Sequence, residues 1–269
     1  AAPLDAPRQM TPPPPGSTPG PRPPPPRSDP RHAAGTRVER RFGHANNPGF
    51  RCAESAILLP FGRRSFLPAI VERAGGVEEP LDETTDRIVY QLRSHRVTLV
   101  YSGMGSPAAT NALEMAAANG ARQVVVFGAC GGVDTGLEVG HLLAVSGAVR
   151  GEGTSRYYAP PEYPAAFDPL LTARLAERAR AGGVPVHVGE VYTTDAGYRQ
   201  GPEIYEDCAG IVLGVDSECA AAAVVGASLG LSMGALLFCT DNPKLPRFAD
   251  QRYGGLRDSR VRRAFEAGL

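Results

Sequence analysis

Tryptophan is absent from the 269 residues, lysine occurs once, at Lys244, and acidic and basic groups balance at 28 each. A chain without net charge carries no general field for nucleic acid, so nucleic acid is not an expected partner. No apolar run is long enough to span a bilayer, and no membrane partner is expected. The five cysteines, at 52, 130, 208, 219 and 239, contain no Cys-x-x-Cys pair and are odd in number. That pattern suggests neither a disulfide framework nor a zinc site, no metal is called for, and a reducing, cytoplasmic location is the default. A Gly-x-Ser-x-Gly elbow is missing too, which leaves a serine hydrolase unsupported.

Proline is the residue in excess. Twelve of the first twenty-six residues are proline, with almost no large apolar side chains to offset the entropy of ordering them. Residues 1–37 are therefore expected to be a disordered, partly polyproline-II arm, read either as a ligand for a proline-binding module or as an inert extension. The arm lacks the apolar core of a signal peptide. Order is expected from Val38, and residues 38–269 suit a single α/β domain.

Within that body the spacing predicts strands over 55–60, 87–93 and 96–101, the last two forming a hairpin, and a helix over 66–74 with Pro68 in its opening turn. The loop Ser102-Gly103-Met104-Gly105-Ser106-Pro107 precedes a helix over 108–119. Its glycines let a backbone approach a ligand, and free amides at a helix start favour an anion or a sugar oxygen. A nicotinamide dinucleotide would need a third glycine and an acid at the end of the next strand, 123–127. That strand is expected to end in Gly128-Ala129-Cys130-Gly131-Gly132. Cys130 is open to two readings, a nucleophile or a small buried residue. A strand over 141–149 leads into a long polar and aromatic loop, 150–164, of the kind that lines pockets. A helix over 169–181, a strand over 184–191 and a C-terminal helix over 258–267, with Arg260, Arg263 and Glu266 on its solvated face, follow.

The stretch from Gly210 to Asn242 reads strand (211–215), buried Ala-rich helix (218–229), strand (234–239). Were the two strands parallel in one sheet, a right-handed crossover would bring Glu218 and Asp241 to one edge, where open α/β sheets bind ligands. Two carboxylates there can grip a hydroxylated substrate and move a proton. The alternative is that Glu218 caps its own helix and Asp241 is a turn residue.

Several motifs, in order, carry a resemblance. They are the 102–107 loop, Gly128-Ala129-Cys130-Gly131-Gly132, Glu152-Gly153-Thr154-Ser155 with its Tyr-Tyr-Ala-Pro-Pro continuation, Thr193-Thr194-Asp195-Ala196-Gly197-Tyr198, Val215-Asp216-Ser217-Glu218 and Thr240-Asp241-Asn242. Over roughly residues 44–245 the chain resembles the nucleoside phosphorylase and nucleosidase superfamily, which includes uridine phosphorylase, hexameric purine nucleoside phosphorylase and the adenine nucleosidases. The resemblance implies a central, mixed, partly barrelled sheet flanked by helices. It also implies a homo-oligomer, a dimer or hexamer, with pockets shared between subunits. The implied partners are a small-molecule nucleoside and inorganic phosphate as co-substrate, without a cofactor.

By motif position the resemblance makes Glu218 the ligand of the ribose 2′ and 3′ hydroxyls and Asp241 the acid that assists the base, both catalytic. Ser217 stands where the family usually has a methionine under the sugar. His44 matches a histidine lent by a neighbouring subunit to the 5′ end, and Gly62, Gly103 and Gly105 would seat phosphate. Met104, Gly128, Ala129, Ser155, Tyr198 and Asp216 complete the implied substrate contacts. Two phosphate-binding arginines are absent from their usual places, where this chain has Gly62-Arg63-Arg64-Ser65-Phe66 and Val126-Phe127-Gly128-Ala129. Arg63 or Arg64 would have to reach the anion instead, with Arg87 as a third arginine from the adjacent subunit. Pro202 and Ile204 occupy the positions of the glutamine and arginine that grip uracil. The expectation is a nucleoside phosphorylase, purine-preferring because of Asp241. The alternatives are a phosphate-independent nucleosidase, a uridine phosphorylase and a catalytically silent nucleoside-binding protein.

Overall fold

A computed structural model describes residues 51–62, 66–76, 82–83, 88–92, 95–199, 206–208, 210–245 and 259–268. The Pro-rich arm lies outside the described residues. The apolar run after Cys52 forms β1 (Ser55–Leu59), and α1 (Phe66–Arg73) follows with Pro68 in its first turn. Strand β2 (Asp82–Glu83) edges the expected hairpin of β3 (Ile88–Gln91) and β4 (Val97–Tyr101). Helix α2 (Ser106–Ala118) starts two residues earlier than its composition predicts. Gly105, at φ +101°, makes the break, and Pro107 fits the first turn, where its missing N–H is not needed.

Next come β5 (Gln123–Gly132), β6 (Leu142–Gly151), β7 (Ala165–Ala166) and α3 (Pro169–Arg180). The Asp168 side chain caps α3 by accepting from the amides of Leu170 and Leu171. The chain continues through β8 (Val186–Thr194), β9 (Gly214–Asp216), α4 (Cys219–Ser228), β10 (Ser232–Asp241) and α5 (Ser259–Gly268). No helix among the described residues is long and apolar enough to cross a membrane.

Strands β5, β10, β6, β8 and β9 close a mixed barrel, and β1, β4, β3 and β2 extend it from β5. Strands β1, β5 and β10 run one way; β6, β8 and β9 run the other. The expectation of a parallel pair around the Ala-rich helix is thereby corrected. Strand β9 does not pair with β10; it pairs antiparallel with β5, Gly131 opposite Val215, while β10 flanks β5 on its other side. It is also shorter than expected, because Gly210, at φ +75°, and the Ile211 amide bonded back to the Cys208 carbonyl hold the preceding residues in a turn. Ile211 is 63% exposed as a result.

The glycine run after Phe127 is not a loop. It continues β5 to Gly132, and its glycines serve close approach. A Cβ on Gly128 would stand 3.0 Å from the Leu237 side chain, and one on Gly132 would stand 2.4 Å from Asn242 Nδ2.

Two clusters make the core. One lies between the barrel and α2 and α4, where Cys219–Gly226 of α4 are all buried, which explains a helix apolar on every side. The other is aromatic: Phe66, Phe127, Phe238 and Phe265 pack with ring centroids 4.9 to 6.0 Å apart, and Phe61 joins them at 4.8 Å from Phe66. Helix α5 contributes Val261, Ala264 and Phe265 to it while Arg263 and Glu266 stay exposed; Arg260 is half-buried.

Phe238 sits at the centre of the aromatic cluster and is fully buried. Phe238→Ala is expected to lower unfolding free energy by about 3–5 kcal/mol. Urea denaturation measures this, and a loss below about 1 kcal/mol would contradict the packing described.

Candidate active site

Asp216 ends β9 and answers the N-terminus of α4. Its Oδ2 accepts from the amides of Glu218 (3.0 Å) and Cys219 (2.7 Å), and its Oδ1 accepts from the Thr193 hydroxyl (2.6 Å). With those amides taken, Glu218 makes no side-chain cap although it holds the N-cap position. Its carboxylate reaches the start of α2 instead, accepting from the Gly105 amide at 2.7 Å. The capping alternative for Glu218 therefore fails on geometry. Next to this bond the Ser106 hydroxyl donates to the Ser217 carbonyl at 2.7 Å, so two hydrogen bonds tie the glycine loop to the 216–218 turn.

Asp241 ends β10, half-buried, with Oδ1 accepting from the Thr240 hydroxyl at 2.7 Å. Just beyond it, the buried Asn242 donates to the carbonyls of Asp134 and Leu137 and accepts from the Lys244 amide, which fixes the chain leaving the strand. Glu218 and Asp241 face the same cleft of about 450 Å³. Barrel closure brings them together, since β9 and β10 flank the end of β5 on opposite sides.

Of the residues singled out in the sequence, Gly62, Met104, Ala129, Asp216, Ser217, Glu218 and Asp241 line this cleft. Met104 stands at its mouth, 74% exposed. Gly105 enters through its amide, and Gly103 precedes it at φ +77°. Gly128 and Ser155 do not line the cleft. Gly128 is packed under Leu237 and Pro60. Ser155 holds the 152–164 loop: its amide donates to Glu152 Oε2, and its hydroxyl accepts from Arg150. Arg150 also donates to the carbonyls of Ala159, Pro160, Pro161 and Tyr163, so the loop is folded around one guanidinium and none of its residues lines the cleft. His44, Arg63, Arg64 and Arg87 lie outside the described residues, as do Pro202, Ile204 and the side chain of Tyr198.

Sequence reasoning missed the apolar wall, Phe61, Phe66 and Val215, together with Thr240. It also missed Thr193, whose hydroxyl links Asp216 to the Ala220 amide. Its signal was available, because Thr193 opens one of the recurring motifs. Cys130 lines the cleft, yet contact with the Cys239 thiol, burial and the nearby Asp216 and Asp241 push its own thiol well up, which disfavours the thiolate a nucleophile needs. Among the described residues no group of three or more candidate ligands is placed to hold a metal.

Burial is the largest influence on Glu218 and the charge of Asp216 the next; together they push its carboxyl up to about 8, against the pull of the Gly105 and Ser217 amides. Burial also raises Asp216, opposed by its donors. The result is a cleft with Glu218 on one wall and Asp241 on the other, joined by apolar side chains. Two carboxyl groups placed in this way suit a substrate with a hydroxylated part and a departing group that needs a proton.

Comparison with known proteins places this arrangement. The model of the phosphorylase superfamily matches residues 57–253. The chain belongs to the phosphorylase superfamily. A uridine phosphorylase of Thermococcus kodakarensis is 33% identical over 144 residues, 51% of this chain and 52% of the relative. A guanosine phosphorylase of Halorubrum lacusprofundi is 31% identical over 145 residues, 54% of this chain and 59% of the relative. Among solved structures, an AMP nucleosidase from Bacteroides thetaiotaomicron superposes with a TM-score of 0.63 at 26% identity, covering 80% of this chain and 87% of that one. The chain spans about half the length of the curated relatives it matches. Superfamily membership accounts for the closed mixed barrel and the five helices among the described residues.

The raised carboxyl has a consequence for stability. The unfolded chain releases the Glu218 proton near 4.5 and the folded protein near 8, so between those values only the folded state holds it, and stability falls as pH rises. Glu218→Gln lacks that dependence. The stability of the variant relative to wild type is expected to climb between about pH 5 and pH 8 in denaturant titrations. A difference that stays flat across that window would contradict the assignment.

Proposed function

We propose that the protein is a nucleoside phosphorylase with a preference for purines. It would cleave the N-glycosidic bond with inorganic phosphate to give free base and pentose 1-phosphate. The observation that carries the reading is that Glu218 and Asp241 face one cleft from the two strands flanking β5. Cleaving this bond builds positive charge on the sugar and negative charge on the base, so a site needs an anchor at the sugar and a donor at the base. Glu218 anchors the hydroxyls, and Asp241 supplies a hydrogen bond or proton near a purine's five-membered ring that lets the base leave the sugar. The apolar wall of Phe61, Phe66, Met104 and Val215 suits the faces of sugar and base. Relatives named uridine phosphorylase and guanosine phosphorylase support the reaction class and leave both bases in play.

Phosphate would be held by Gly62 and the 103–105 loop, with Arg63, Arg64 and a neighbouring subunit's Arg87 as the cations. His44 of a neighbour would close the sugar end, which makes a homo-oligomer part of the proposal. One observation favours a second reading, hydrolysis by a nucleosidase: among the described residues lining the cleft there is no cation. The similar AMP nucleosidase structure adds to it.

A nucleoside panel with and without phosphate, followed by identification of the sugar product, separates the readings. A 1-phosphate formed at a rate that saturates with phosphate is the expected outcome; free sugar at a phosphate-independent rate supports the nucleosidase. Above about pH 8, where Glu218 is ionised, Glu218→Gln is expected to lower kcat/KM on every ribonucleoside by about tenfold or more, matching the loss of about 1.5–3 kcal/mol for a charged hydrogen bond. Asp241→Asn is expected to slow purine cleavage by about 10²–10⁴-fold and pyrimidine cleavage far less. Equal slowing of both classes would remove Asp241 from the base.

A further inference from the structure

Thr193, the last residue but one of β8, lies beside Asp216: the two are register partners in the parallel β8–β9 pair. Its hydroxyl is fully buried and has two partners. It accepts from the Ala220 amide at 2.9 Å and donates to Asp216 Oδ1 at 2.6 Å. With the Ala220 amide supplying a proton to the oxygen, the hydroxyl's own hydrogen is directed at Asp216. Each of the three backbone and hydroxyl groups that touch the Asp216 oxygens is a donor. A carboxylate accepts from all three, and each of these bonds is stronger to the charged form than to a protonated Asp216.

Two buried carboxyls this close do not both ionise readily. The donors around Asp216 decide which one carries the charge. Glu218 has the Gly105 amide on Oε1 and is left with the proton over the neutral range. From β10, Asp241 lines the same cleft; from β5 and α4 come the thiols of Cys130 and Cys219. The 152–157 segment packs on α4 and brings Glu152, whose Oε2 accepts from the Ser155 amide. The first turn of α2, Ser106 to Thr110, brings no ionisable side chain. Among these groups Asp216 is the charge that acts on Glu218.

We propose that Thr193 is a positioning residue for Glu218, acting through Asp216: its hydroxyl fixes the negative charge on Asp216 and thereby keeps Glu218 protonated. Glu218 then enters the reaction as a donor as well as an acceptor toward a sugar hydroxyl. Its acid or base form is set from β8, a strand that contributes no residue to the cleft wall. The inference rests on the functional reading above for its catalytic meaning, and on the geometry alone for the charge assignment.

Thr193→Val keeps the shape and removes the hydroxyl; Thr193→Ser restores it. Infrared titration of the protonated carboxyl band that Glu218→Gln abolishes gives the Glu218 midpoint without any need for turnover. The midpoint is expected near 8 in the wild type and in Thr193→Ser. In Thr193→Val it is expected lower by about one pH unit or more, since losing one donor makes Asp216 the easier group to protonate. The limb of the kcat/KM profile that depends on Glu218 should move by the same interval. If Thr193→Val does not fold, Thr193→Ala carries the same measurement with less bulk. An unmoved midpoint in a variant that merely melts earlier overturns the proposal. A wild type that cleaves no nucleoside overturns the functional reading instead, and the infrared titration still decides this one.

Discussion

The site depends on how closely strands can approach β5. A barrel of five strands curves sharply, and at its rim β9 and β10 must press on β5 from both sides. Side chains at positions 128 and 132 would hold the neighbours off: a Cβ on Gly128 would stand 3.0 Å from the Leu237 side chain, and one on Gly132 2.4 Å from Asn242 Nδ2. Glycine at these places is what lets Asp241 and the 216–218 turn converge across a single strand. The geometry of the cleft is thus set by backbone proximity, and the side chains proposed to act there are carried to it.

Electrostatics then sorts the carboxylates. Two helices, α2 and α4, begin at the cleft, and each leaves amide groups without helical partners. Asp216 and Thr193 take those of α4, and Glu218 crosses over to α2. Because the nearer helix is already capped, the glutamate is directed across the cleft's edge, where burial first and the Asp216 charge second raise its carboxyl. Three carboxyl groups consequently share one opening with different tasks, one structural, one poised between protonation states, and one at the mouth of the strand that ends at Asp241.

Most of the elements were legible in the sequence because their signals are local. The hairpin over 88–101, the amphipathic α3 and the all-apolar α4 follow from periodicity and composition. What was not legible is non-local. Nothing in residues 211–216 says that β9 runs against β5, since strand direction is fixed by which neighbours close the barrel and not by the strand's own pattern. The glycines of β5 carry the same composition as a turn; only the identity of what lies opposite distinguishes a bend from a close approach. The 150–164 loop misled for a related reason, since a loop whose backbone carbonyls and one serine hydroxyl satisfy its own arginine looks in sequence like a loop waiting for a ligand.

The position of β10 has a kinetic consequence. It is the last strand of the barrel, and it must pair with β5, which lies about 110 positions earlier, and with β6 at the same time. Bringing such distant segments together imposes a loop-closure entropy that no local contact offsets beforehand, so closure belongs late in folding. Until then β5 presents an unpaired edge rich in apolar residues, the kind of edge that associates with other chains. During synthesis the barrel therefore stays open, and the two halves of the cleft stay apart, until the segment ending at Asp241 has left the ribosome.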